Sequence, residues 1–381
     1  MNSHQLFNSK RVLFFDQIKA LMITLVIVFH VALGLRFTWL GVLIPDGGSQ
    51  HLLFNTVADW FLITSNSFFM GMLFLLSGYF VPRSVHKKGI ARYLKDRLLR
   101  LGMPFLVGLL LINNASVLLA RNSPESPLAN IAWSQLPFNK VGVLWFLVVL
   151  FTFDLFYCAW ILLRGDHFAI DTSVALPKQR SWVISAVVLT MIEFVMSMQT
   201  DFWTTLQHSS LDGLGSQGMH IFTYAFLFFL GCKASFHRWL EQLDAHLVMR
   251  WFRLSMVLAL SLLAVGIALA FVGGADGALS GKLSLLMSHL RLFIGWGVMA
   301  YLLLWFQRHE QRFGQWLAIA GLDSFGAYII HPLILVVVFE AIGFIGLNHW
   351  LIFIAASAFG IFISFGLSHQ LRRIPAIAKV I

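Results

Sequence analysis

Gln17-Ile-Lys-Ala-Leu-Met-Ile-Thr-Leu-Val-Ile-Val-Phe-His-Val-Ala-Leu-Gly-Leu35 is an apolar stretch interrupted by two ionisable side chains, Lys19 and His30. Its length matches the roughly 20 residues that an α-helix needs to cross a hydrocarbon core about 30 Å thick. Lys19 and His30 are eleven residues apart, close to three whole turns, so both project from one helix face about 16 Å apart along the axis. A cation near one surface is thereby aligned with an imidazole deeper in the span. An ionisable group in lipid costs about 2.5 to 3.5 kcal/mol on insertion scales, so it faces protein or water and marks a functional position. The same pattern also suits a lysine that snorkels to the headgroups and a histidine that hydrogen-bonds to a neighbouring helix. Spacing alone leaves both readings open.

Composition extends this reading to the whole chain. Of 381 residues 59% are hydrophobic and 12% charged, and mean hydropathy is +0.80, too little polarity to coat a water-soluble globule of this size. The chain reads as a polytopic membrane protein. Arg11 and Asp16 precede the first apolar run and no small-residue cleavage pattern follows it, so a retained helix is expected rather than a signal peptide. The net charge of +10 does not point to nucleic acid, because the basic residues lie in short loops between apolar runs. Cys158 and Cys232 fall in apolar segments without a close-spaced partner and read as packing residues; no metal-ligand pattern is present.

Apolar stretches near 17–35, 59–81, 102–120, 143–163, 182–198, 218–235, 252–272, 283–305, 323–341 and 350–369 predict an all-α bundle of ten transmembrane helices. With a cytoplasmic N-terminus, 21 of the 27 Lys and Arg residues fall on the cytoplasmic side and only Arg36, Arg121, Lys140 and Lys282 on the other. That asymmetry predicts both termini in the cytoplasm. The longest outer segments, 36–58, 121–142 and 199–217, are too short for a separate domain. A single membrane-embedded domain over 1–381, without internal repeat, must therefore carry any chemistry itself.

Four further places combine polar groups with apolar context. Ser77-Gly78-Tyr79 ends the second span and offers a hydroxyl beside a residue that permits close helix packing; either use accounts for it. Arg97 and Arg100 are three apart on an expected amphipathic helix, where paired guanidiniums suit phosphate or anchor the chain to anionic lipid. Trp145 in Trp145-Phe146-Leu147 suits the interfacial aromatic belt. In Ser324-Phe-Gly-Ala-Tyr328-Ile-Ile-His331-Pro332, Tyr328 and His331 share a face, and Pro332 frees backbone groups beside a titratable ring. A packing pair at a proline kink fits equally. Asp154, Glu193, His289 and Arg291 are the remaining intramembrane polar residues of note, and Glu193 and Arg291 are candidates to pair. No Gly-rich phosphate loop, Gly-x-Ser-x-Gly elbow or metalloprotease His motif occurs.

Taken in order, Asp16-x-x-Lys19-(ten residues)-His30, Ser77-Gly78-Tyr79, Arg97 and Arg100, Trp145-Phe146-Leu147 and Tyr328-x-x-His331-Pro332 resemble the membrane acyltransferase 3 family, from about residue 11 to 370. In that family the first-helix motif is usually Arg-(ten residues)-His; Lys19 here keeps the charge but not the bidentate fork. The resemblance implies O-acyl transfer, acetyl or succinyl, from cytoplasmic acyl-coenzyme A to a hydroxyl of an extracytoplasmic or lipid-linked carbohydrate, by a multi-pass protein of the inner (plasma) membrane. Within the family the chain is similar to succinyltransferases of periplasmic glucans and to exopolysaccharide acetyltransferases. No cofactor is expected beyond acyl-coenzyme A as substrate; the partners are that donor, the carbohydrate or glycolipid acceptor and membrane lipid, with no nucleic acid.

On this reading His30 is the general base, since attack by a sugar hydroxyl on a thioester needs a group that titrates near neutrality. His331 either polarises the thioester carbonyl or completes the hydrogen-bond network of the base. Lys19, Arg97 and Arg100 hold the phosphates of coenzyme A, and Asp16 orients Lys19. Ser77, Trp145 and Tyr328 complete the candidate site. The main rival is a proton-coupled secondary transporter, against which stands the lack of paired halves with matching interrupted helices. A lipid-linked glycosyltransferase or polymerase would need a catalytic carboxylate or a substantial outer loop.

Overall fold

The computed structural model describes residues 13–37, 52–122, 126, 128–164, 176–272, 277–312, 314–343 and 348–380. Lys10, Arg11 and most of the expected outer segment 36–58 lie outside the described residues. The chain begins with α1 (Leu13–Arg36), α2 (Leu52–Asn66) and α3 (Phe69–Lys88). A continuous helical run, α4 (Ile90–Arg121), follows, then α5 (Trp145–Arg164), α6 (Gln179–Ser197), α7 (Thr200–His208) and α8 (Asp212–Gln217). The chain continues through α9 (Ile221–His237), α10 (Ala245–Val272), α11 (Gly277–Arg308), α12 (Gly314–Gly343) and α13 (His349–Arg372), and closes with α14 (Pro375–Ala378).

Ten helical segments among the described residues are long and apolar enough to cross a membrane, one for each predicted stretch, and no strand is present among those residues. The protein is an all-α, multi-pass membrane protein. The boundaries differ in two places. The second span is the pair α2 and α3, together Leu52–Lys88, broken around Ser67. The third starts at Ile90 rather than near 102, so Arg97 and Arg100 belong to the span's own helix. Within it the helix widens to π-turns over Leu98–Gly102 and Gly108–Asn113. Pro104 explains the first: it has no N–H for the Arg100 carbonyl, and the ladder loosens there.

Two close approaches set the architecture. Gly78 on α3 lies so near α9 that a Cβ would sit 2.0 Å from the Phe228 carbonyl oxygen, and one on Gly231 would sit 2.1 Å from that of Leu75. The glycine of the Ser77-Gly78 motif thus permits close helix packing, as small residues do where helices pack without a hydrophobic drive between them. On α12, a Cβ at Gly321 would sit 2.1 Å from the Asp16 carbonyl oxygen of α1. Further along, Gly34 of α1 meets the ring of Phe339 on α12. Since 16 meets 321 and 34 meets 339, α1 and α12 run parallel, the arrangement required of two odd-numbered spans.

The expected pairing of Glu193 and Arg291 is present and buried. Arg291 donates from Nε to Glu193 Oε2 at 2.8 Å and from Nη2 to Oε1 at 2.7 Å, a bidentate fork joining α6 to α11. Its Nη1 lies 2.8 Å from Nε2 of His220. A guanidinium only donates, so His220 Nε2 accepts and its proton sits on Nδ1, which is 3.3 Å from Glu193 Oε1. Thr223 adds a 2.5 Å bond to the same carboxylate oxygen. The network joins α6 to α11 through the fork and both to the start of α9 through His220 and Thr223, which makes it a structural clamp.

Candidate active site

The parallel pairing of α1 and α12 brings His30 and His331 together. Their ring centroids are 5.0 Å apart with planes inclined at 49°. His331 is fully buried and His30 half-buried. Pro332 prepares this arrangement: lacking an N–H, it leaves the Tyr328 carbonyl four residues earlier without its helical partner. Nδ1 of His331 takes that carbonyl at 2.6 Å. On α1, Nδ1 of His30 bonds the Val26 carbonyl at 2.8 Å. A carbonyl only accepts, so both Nδ1 atoms carry protons and, in each neutral ring, Nε2 presents the lone pair. Tautomer and ring orientation are therefore set by the backbone, which is what a general base requires.

Tyr328 anchors this pair to the next layer, its hydroxyl donating to the Val143 carbonyl at the head of α5. Phe146 lies edge-on to Tyr328 with centroids 5.9 Å apart. Trp145, expected in an interfacial belt, is instead buried. It stacks on Tyr224 at 5.4 Å and lies 6.1 Å from Phe74. It therefore stiffens the wall behind Tyr328.

Beyond the histidines, a cavity of ≈ 560 Å³ runs toward the end of the bundle where α1 terminates. Phe29 and Pro332, the neighbours of the two histidines, line it with Leu33 of α1 and Phe37 just past its end. The facing wall is polar: Asn113, Lys140, Gln207, Asp212 and Gln217. Asp212 organises this wall, accepting the N–H of Gly142 at 2.7 Å and of Gly213 at 2.8 Å on one carboxylate oxygen. Gly142 has φ +49°, a backbone state that glycine reaches without strain. The π-turn ending at Asn113 aims its amide at the Lys140 carbonyl, 2.8 Å away. None of these wall residues was singled out from the sequence as a site residue; they come from segments as far apart as Asn113 and Gln217, and no local signal marks them.

At the opposite, basic end, Lys19 lies 3.3 Å from Asp16 and 4.9 Å from the ring centroid of Phe80, with its side chain one-third exposed. The i, i+3 spacing thus puts Asp16 in ion-pair contact with Lys19. Nearby, Tyr79 donates to Glu241 at 2.8 Å and receives Arg83 at 3.2 Å. Ser77 is half-buried on α3.

Arg97 and Arg100 do not form the pair that their spacing suggested. The π-turn between them changes the pitch, and Arg97 turns inward, 2.8 Å from Asp154 on α5. Its Nε also donates to Tyr93 at 2.9 Å, and Tyr93 donates to Asp154 at 2.6 Å. Asp154 is fully buried, so Arg97 neutralises a carboxylate that would otherwise be costly in this position. Arg100 remains exposed.

The family model of an acyltransferase domain, acyltransferase 3, matches residues 12–369, nearly the whole chain and every candidate site residue described above. No curated protein matches the sequence.

Proposed function

The chain belongs to the acyltransferase 3 family, and on that premise we propose that this acyltransferase moves an acetyl or succinyl group from cytoplasmic acyl-coenzyme A to a carbohydrate hydroxyl on the outer side of the inner membrane. The observation that carries the proposal is the His30–His331 pair, 5.0 Å between centroids, whose chain neighbours Phe29 and Pro332 line a cavity with one apolar and one polar wall.

Donor and acceptor approach from opposite ends. The basic excess favours a cytoplasmic Lys19 end, where the Lys19 ammonium and the exposed Arg100 attract the phosphates of coenzyme A. The pantetheine arm then descends along α1 toward His30, about 16 Å away. Arg97 acts by positioning, holding α4 against α5 through Asp154. The acceptor, free or lipid-linked, enters the cavity beyond the histidines. There the amides and charged groups of the polar wall meet sugar hydroxyls, and Phe29, Leu33 and Phe37 meet the apolar ring faces.

The chemistry balances at named atoms. Nε2 of His30 removes the hydroxyl proton as the oxygen forms its bond to the thioester carbonyl carbon. The C–S bond breaks, and the protonated His30 returns the proton to the departing thiolate. Of the two roles open to His331, the tautomer favours the second: a neutral ring with its Nδ1 proton committed to Tyr328 has no donor for a carbonyl. It shares the proton with His30 and spreads the imidazolium charge.

Sealed membrane vesicles of each orientation, given labelled acyl-coenzyme A outside, test this reading. Inverted vesicles, with the Lys19 end outward, are expected to consume donor and deposit label on lumenal glycan. Equal consumption by right-side-out vesicles, with leakage excluded, contradicts it.

A further inference from the structure

A second cavity, ≈ 930 Å³, opens at the basic end between α6, α9, α10 and α11, away from the histidines and unused by the transfer reaction. Its size lies within the range of small-molecule sites. Leu227, Leu230, Leu247, Phe226, Trp182 and Trp296 make its walls apolar. Lys178, Arg180 and Lys233 line it as well. All three are exposed, and among the described residues none has an ion-pair partner. Among the described residues the one carboxylate of the lining is Asp244, which is occupied in capping α10, accepting the His246 N–H at 2.9 Å.

A further observation points to a ligand. Trp239 also lines the cavity and is only 6% exposed, yet its indole N–H has no acceptor among the described residues. The Lys233 ammonium lies 5.6 Å from the centroid of that ring. A buried indole N–H normally finds a partner. The site therefore offers a donor and a cation together, at the top of a slot walled by carbon.

We propose that this cavity is a binding site for an anionic glycerophospholipid of the cytoplasmic leaflet, with one acyl chain between the helices and the phosphate on Lys178, Arg180, Lys233 and the Trp239 N–H. Two features favour a lipid over a soluble anion. Below the basic mouth the lining is mainly leucine, phenylalanine and tryptophan, and the Ser185 hydroxyl there is already engaged by Trp296 and the Trp182 carbonyl, a wall that suits an acyl chain and not the sugar and base of a nucleotide. Of the ten spans among the described residues, the bounding α6 and α10 have the smallest share of buried residues, 17% each, so the slot borders the bilayer itself. Basic pockets between helices at a cytoplasmic interface are the physical form of anionic headgroup sites.

Intact-mass analysis of the purified full-length protein in detergent micelles tests this, with dioleoyl phosphatidylglycerol or dioleoyl phosphatidylcholine as the added probe. Wild type should retain one phosphatidylglycerol in preference to phosphatidylcholine. Each cation removed in Lys178→Gln, Arg180→Gln and Lys233→Gln should weaken retention about fivefold, and Trp239→Phe about tenfold. The three glutamine changes are at exposed positions, so their folding is checked by size exclusion. Equal retention of both lipids, or wild-type retention in the triple variant, overturns the proposal. Glycerol phosphate should not compete; if it does as well as the lipid, the site is for soluble anions and the proposal falls. Displacement of the lipid by palmitoyl-coenzyme A at equal concentration would assign the slot to the donor and overturn it likewise.

Discussion

Replacing Gly321 by alanine tests whether the catalytic pair depends on how closely α1 and α12 approach. A Cβ there would stand 2.1 Å from the Asp16 carbonyl oxygen, against the 3.0 Å below which real Cβ contacts essentially never fall. The two backbones must separate by at least about 0.9 Å, and neither is a side chain that can swing aside. Overpacking of this kind costs about 1 to 3 kcal/mol of stability. Its effect on rate should be larger in proportion. His331 lies ten residues further along α12, about 15 Å, and a misplacement of about 1 Å at reacting groups costs on the order of a hundredfold. The assay is label transfer from acyl-coenzyme A in inverted vesicles, alongside thermal unfolding in detergent. Gly321→Ala is expected to lose about one to two orders of magnitude in turnover with a modest drop in Tm. Gly366→Ala is the control, since nothing lies within 4 Å of its added Cβ, and it should behave as wild type. Wild-type turnover in Gly321→Ala would refute the dependence of the histidine pair on this contact.

Pro332→Ala restores an N–H that competes with His331 for the Tyr328 carbonyl, so turnover should fall about tenfold while Tm holds or rises; unchanged turnover would remove the proline from the account. His30→Gln keeps a hydrogen-bonding side chain without a base and should reduce transfer about 10² to 10⁴-fold at normal expression, measured in the same vesicles. Lys19→Ala and Arg100→Ala should raise the apparent KM for acyl-coenzyme A more than they lower kcat, the mark of lost uniform binding, whereas Asp154→Asn should lower Tm by stranding Arg97. Arg291→Met should cost about 3 to 5 kcal/mol of stability by leaving Glu193 buried and unpaired, and Arg291→Met with Glu193→Gln should recover part of it in thermal unfolding. Cysteines introduced at Ser84 and Asn130 should label from opposite sides, Ser84 from the cytoplasm; labelling of Ser84 only from outside would invert the orientation.

Length and hydropathy were enough to determine the class of fold and the number of spans, because a bilayer imposes a minimum apolar run and admits only helices or closed barrels across it. The same local rules made His30, Asp16 with Lys19, and the Tyr328-His331-Pro332 turn visible, since each depends on residues within three turns of one helix. The proline's role is fully local: the carbonyl it frees is the one His331 uses. Tertiary structure alone decided the rest. The facing of His30 and His331 requires α1 and α12 to be parallel neighbours, and hundreds of residues of chain separate them. Arg97 and Arg100 share a face only in a regular α-helix; the π-turn and the buried Asp154 on another span divide them. Trp145 sits in the interior because Tyr224 of one helix stacks on it and Phe74 of another lies tilted beside it. The cavity wall around Asp212 has no local pattern at all, for its hydrogen bonds join loops that helix packing brings together. Hydropathy reports what a segment avoids, water; which partner it meets instead is set by shape, and here by glycines whose missing side chains let particular helices touch.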